Sequence, residues 1–148
     1  MKITLIFILV LSLTFALGQW LGSEKKSTSI KELSSVSSCD PTKNRYCEIE
    51  YKKALFILEF KGSPSGLVPF DVSVKSKTIQ PDFIELSFDM QGMDMGYSVY
   101  NLKKNDTDWS AKVILPVCSL ARNDWLVSVK LVFQGESLLT EFKFTQEE

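Results

Sequence analysis

The chain has 148 residues with 17 basic and 18 acidic side chains, a formal net charge of −1, and no histidine. So even a balance leaves no electrostatic footprint for nucleic acid or an anionic membrane surface. The missing imidazole also removes the side chain on which most hydrolytic triads and zinc sites are built.

The chain opens MKITLIFILVLSLTFALGQW, in which Lys2 precedes an apolar run from Ile3 to Leu17 and small residues stand at Ala16 and Gly18. This layout predicts a secretory signal peptide over 1–18, cut after Gly18. The competing reading keeps the segment to about Leu21 as a membrane anchor helix, since its length approaches the roughly 20 residues a bilayer needs and Trp20 suits its interface. No cysteine follows the run, so lipoprotein attachment is not expected. On either reading the rest of the chain is exported, to the periplasm or another extracytoplasmic space. Without Lys2, 16 basic residues face 18 acidic ones. Residues 22–38, GSEKKSTSIKELSSVSS, are rich in serine and charge and read as a polar linker. The domain proper is expected over 39–148, long enough for one hydrophobic core.

Beyond Cys39 period-2 alternation dominates. EIEYKKALFILEFKG reads as a central strand with Phe56, Leu58 and Phe60 on one face, although YKKAL within it also suits the start of a helix. After the loop GSPSG come Phe70, Val72 and Val74, then Ile84, Leu86 and Phe88, each alternating with polar residues. Trp109, Ala111, Val113 and Leu115 repeat the pattern up to Pro116. Trp125, Val127, Val129, Leu131 and Phe133 follow, and a turn at Gln134-Gly135-Glu136 leads to Phe142 and Phe144. About seven strands at this spacing predict an all-β fold, an antiparallel immunoglobulin-like β-sandwich, with a barrel as the alternative. Trp109 and Trp125 fall on the inward parity and are expected in the core.

Three cysteines follow the N-terminal segment. Cys39 and Cys47, eight apart around Pro41 and Asn44, suit a small disulfide loop in an exported protein. Cys118 is then left over, as a buried inert thiol, a soft metal ligand or a link to another chain; a disulfide from it to Cys39 or Cys47 is the other connectivity.

Apart from the initiator, the only methionines are Met90, Met93 and Met95, within FDMQGMDMGY. Inward parity is even through Phe88 and Met90 and odd from Met93 through Met95, Tyr97 and Val99. A change of phase centred on Gly92 predicts a β-bulge or tight turn, which gathers the three sulfurs towards one side. A thioether is soft and carries no proton, so it suits Cu(I) and has little affinity for Zn(II), Mg(II) or Ca(II). Because methionine needs no deprotonation, such a site keeps working in mild acid. The bland reading is that methionine fills gaps in a core. Against it, the core has no other methionine, and these three stand among Asp89, Gln91, Gly92, Asp94 and Gly96. The aspartates are hard donors, expected to cap the turn through local hydrogen bonds rather than bind the metal.

The stretch FDMQGMDMG, with Trp109, VILPVC ending at Cys118 and RNDW ending at Trp125, resembles small exported immunoglobulin-like proteins of the YtkA-like or FixH-like kind. The resemblance spans roughly Phe70 to Phe133, and F-x-M-x-G-M-x-M-G is its most specific part. It implies a periplasmic or surface-exposed sandwich that holds copper in transit or supports cytochrome oxidase assembly, with a copper donor or acceptor protein as partner. The absence of histidine departs from many copper carriers and favours Cu(I) alone. The ligand set on this reading is Met90, Met93 and Met95, with Cys118 as a fourth sulfur.

No G-x-G-x-x-G, P-loop or C-x-x-C motif occurs, and no nucleophile, base and orienter set is legible, so the chain is not expected to be an enzyme. Asn105-Asp106-Thr107 matches a glycosylation sequon, and KKNDTD equally suits a plain polar turn. Two function classes remain: an exported Cu(I)-binding protein, and an exported structural or interaction module without metal, touching the membrane only through an uncleaved N-terminal segment.

Overall fold

The computed structural model describes residues 34–93, 95–96, 98–134 and 136–146. The signal or anchor expected over the first residues, and most of the linker after it, lie outside these. Among the described residues there are ten strands and no helix: β1 (Ser34–Ser37), β2 (Cys47–Tyr51), β3 (Ala54–Lys61), β4 (Phe70–Lys75), β5 (Phe83–Asp89), β6 (Val99–Asn101), β7 (Lys103–Asn105), β8 (Asp108–Val113), β9 (Asp124–Phe133) and β10 (Glu136–Thr145). They form two five-stranded sheets, one in the order β1-β10-β9-β5-β6 and the other β2-β3-β4-β8-β7. Every pairing is antiparallel except that of β1 with β10.

The alternation read from the sequence places the core. Ile84, Leu86 and Phe88 on β5 are fully buried, as are Val127, Val129 and Leu131 on β9, and Trp109 and Trp125 join them. The register brings Phe88 beside Val127 and Val127 beside Phe142, so the inward positions of three strands share one row. Rings from the two sheets then meet. Phe60 of β3 lies 6.4 Å from Phe88 and 5.4 Å from Phe144, and Tyr51 of β2 stacks on Phe133 of β9 at 4.6 Å. Such pairs add stability beyond the area they bury.

Three differences from the expected elements have local causes. The tail of the linker, Ser34–Ser37, is a strand, because the open edge of β10 offers backbone partners that a serine-rich segment takes without side-chain alternation. YKKAL is not the start of a helix: Tyr51 pairs with Ala54 across a two-residue turn, and β2 and β3 form a hairpin. The three-residue strands β6 and β7 are too short to show a period.

The hairpin turn is built from Lys52 (φ 45°) and Lys53 (φ 72°). Two left-handed residues define a type I′ turn, for which Asn-Gly is the favoured sequence. Lys52 is held by an ion pair to Glu136, whose carboxylate also accepts a hydrogen bond from the Tyr51 hydroxyl at 2.6 Å. Lys53→Gly is therefore expected to raise stability by roughly 0.5–1 kcal/mol, the left-handed penalty relieved less the added chain entropy. A thermal melt checks it, with a rise of a few degrees expected.

Cys39 and Cys47 form a disulfide, as their spacing suggested, leaving Cys118 as the free thiol. The bond joins the chain just after β1 to the first residue of β2, and so ties the edges of the two sheets together.

Candidate metal centre

Three connections gather at one end of the strands. Residues 62–69 join β3 to β4, 90–98 join β5 to β6, and 114–123 join β8 to β9. The register puts them together: Lys61 pairs with Asp71, Phe70 with Val113, and Asp89 with Leu126. The methionine segment and Cys118 therefore occupy neighbouring loops.

Met90 continues the inward parity of β5 and is only 2% exposed. The chain then reverses in a tight turn, closed by the Met93 N–H donating to the Met90 carbonyl at 3.1 Å. Gly92 stands at its third position with φ +76°, the left-handed conformation that a type II turn requires there. Met90 and Met93 are antiparallel bridge partners, so their side chains leave on the same face. This is the phase change seen in the sequence. Met93 and Met95 are half-buried against the core, and a second left-handed glycine, Gly96, follows. Asp94 and Tyr97 lie outside the described residues, and Asp89 is exposed.

Cys118 is 7% exposed, and its thiol points at the Met93 sulfur, Sγ to Sδ 3.0 Å. The structure thus brings together one thiol and one thioether from two loops. Met90 shares the Met93 face from within the core, and Met95 is half-buried against the core; no sulfur contact that joins either of them to Cys118 is seen among the described residues. Cys39 and Cys47, spent on their disulfide, are not free ligands.

Two residues that hold this arrangement went unassigned in the sequence. Arg122 makes a paired contact with the Asp124 carboxylate, its Nε donating to Oδ1 at 2.8 Å, and its Nη1 donates to the Gln91 carbonyl at 3.1 Å, tying the Cys118 loop to the methionine turn. The Asp124 hydrogen bond raises the Arg122 pKa above its ordinary value. Arg122 stands in the RNDW stretch, but nothing in its spacing announced the Gln91 contact. Tyr100 of β6 likewise donates its hydroxyl to the Ile114 carbonyl at 2.6 Å and accepts from the Ile114 N–H at 3.2 Å. That fixes the start of the segment leading to Cys118.

The donor chemistry is distinctive. No group of three or more His, Cys, Asp and Glu side chains is placed to share a metal among the described residues. A cavity of about 470 Å³ beside Met90 and Trp125 is edged by Asp40, Asp89, Asp124 and Glu141, oxygen donors that suit a soft cation poorly. The sulfur pair is the soft-donor arrangement at this end.

No family model matches the chain, and no curated protein matches it. Among solved structures, an engineered protein of known crystal structure is similar at a TM-score of 0.46 and 11% identity, over 63% of this chain and 20% of that one. The chain spans about a fifth of that protein's length, and a likeness so slight carries no argument.

Proposed function

We propose that this is an exported Cu(I)-binding protein, a copper carrier, sequestering protein or aid to oxidase assembly, built on an immunoglobulin-like β-sandwich. The sheet orders support the fold: β3-β4-β8-β7 and β10-β9-β5-β6 follow the ABED and GFCC′ order of that architecture, with β1 and β2 added at the edges. The observation that carries the metal reading is the 3.0 Å approach of Cys118 to Met93 across two loops. Met93 and Cys118 form the nucleus of the site, Met95 is the third donor from the same loop, and buried Met90 anchors the turn. The set fits a monovalent soft cation: thioethers are neutral, and the thiol supplies one negative charge on losing its proton. No catalytic role is proposed.

The test is a Cu(I) titration of the protein, purified as the cell leaves it, against a competing chelator, beside a Met93→Ala, Met95→Ala double variant. Wild type is expected to hold Cu(I) and the variant to release it. Equally poor competition by both removes the metal reading. The second reading, an exported interaction module without metal, draws on the aliphatic side chains exposed at the same end.

A further inference from the structure

At the sulfur end the thiol is closed off. Cys118 is 7% exposed and meets the Met93 sulfur at 3.0 Å, while Val117 and Leu120 beside it are 63% and 70% exposed. The segment 116–121 thus lies over the methionine turn with its cysteine inward. Both flanks of the segment are anchored. Before it, Tyr100 holds both backbone groups of Ile114, and the Leu67 N–H donates to the Leu115 carbonyl at 3.0 Å. After it, the Arg122 Nε and Nη2 grip the Asp124 carboxylate, which sets the guanidinium plane and leaves Nη1 to donate to the Gln91 carbonyl at 3.1 Å. The link from Cys118 to Arg122 is short and stiff. The Ala121 N–H donates to the Cys118 carbonyl at 3.1 Å, closing a tight turn, and Ala121 follows in the left-handed region at φ 52°. Displacement at Arg122 is therefore passed on to Cys118.

We propose that Arg122 is the latch on the sulfur pair. Its bond to Gln91 joins the two sulfur loops directly; breaking that bond frees 116–121 to lift Cys118 from Met93, and a soft cation or thiol reagent enters by the opening. Arg122 is a positioning residue, acting on the sulfurs through Gln91 and the turn. The opening belongs to the metal-free chain, and its use in metal uptake rests on the Cu(I) reading above.

Alkylation of metal-free protein by iodoacetamide, followed by intact mass, tests the latch, since Cys39 and Cys47 are spent on their disulfide. A closed thiol reacts only while open, so wild type is expected to react roughly a hundredfold or more slower than in denaturant. Arg122→Ala is expected to react about tenfold faster than wild type, the worth of one charge-assisted hydrogen bond. Removing a cation leaves less thiolate and by itself slows the reagent, so acceleration reports opening. The faster rate is expected to stay level through low urea, because a local opening exposes little surface. Arg122→Lys, a point charge without the planar fork, is expected to fall between the two. Equal rates in wild type and Arg122→Ala overturn the latch, as does an acceleration that climbs steeply with urea, the mark of global unfolding. Stopped-flow transfer of Cu(I) from a chelator reads the second step, with faster uptake expected in Arg122→Ala. Faster alkylation with unchanged uptake overturns the gating of metal alone. Absence of Cu(I) uptake in both removes the metal reading and leaves the latch on the thiol.

Discussion

Replacing Cys118 by serine is expected to weaken Cu(I) binding by roughly tenfold or more at neutral pH and to flatten its dependence on pH. On the proposed reading wild type binds through a thiol that must give up its proton, so affinity is expected to fall as pH falls, by about tenfold per unit while one proton is displaced per metal. In the variant the remaining donors are thioethers, which bind no proton in this range, and affinity stays level. The sign follows from competition: a proton opposes metal on a thiolate and has nothing to oppose on a methionine. Chelator competition across a pH series measures both slopes, with circular dichroism confirming the fold. Parallel slopes would mean that Cys118 is not a ligand, leaving the methionines to account for any binding.

Phe88→Ala is expected to cost about 3–5 kcal/mol. Phe88 is fully buried, and its ring meets Phe60, Phe70, Tyr100 and Phe144 at 5.9–6.4 Å. Its N–H also donates to the Ser98 carbonyl at 3.0 Å, closing the loop that holds the methionines. The cavity left behind lies against several rings that cannot all collapse into it. In a domain of this size the loss lowers the melting temperature by on the order of 15–25 °C, which calorimetry reads directly. Phe88→Leu, which keeps most of the volume, is expected to lose less than half as much.

Legibility in the sequence follows how many residues carry the signal. β5 and β9 alternate over seven and ten residues, and their inward faces were readable because each strand is buried on one side. β1, with the sequence SSVS, has no such face, and only the presence of the β10 edge makes it a strand. The turn at Gly92 was legible because a left-handed glycine shifts the phase of every residue after it. Short spacing made Cys39 and Cys47 a candidate pair while leaving a bond from Cys118 to either open, and the structure joins the candidate pair. The contacts that bring Cys118 to Met93 were not legible, since they depend on Arg122 and Tyr100 reaching between loops, a matter of register rather than composition. The exposed aliphatics were legible in part: the inward parity of Trp109, Ala111, Val113 and Leu115 puts Ile114 outward, whereas no alternation beyond Pro116 marked Val117 as exposed.

The parallel pairing of β1 with β10 has a mechanical consequence. β1 runs towards the sulfur end, so its first residue lies farther from that end than its last. A pull on the residues before Ser34 draws β1 lengthwise along β10 and loads its backbone hydrogen bonds together in shear, rather than peeling them one by one. Beyond β1 the force meets the Cys39–Cys47 bond and passes into the second sheet. A chain held by its N-terminal residues therefore shares tension between both sheets, while the loops carrying Met93 and Cys118 stay off the load path.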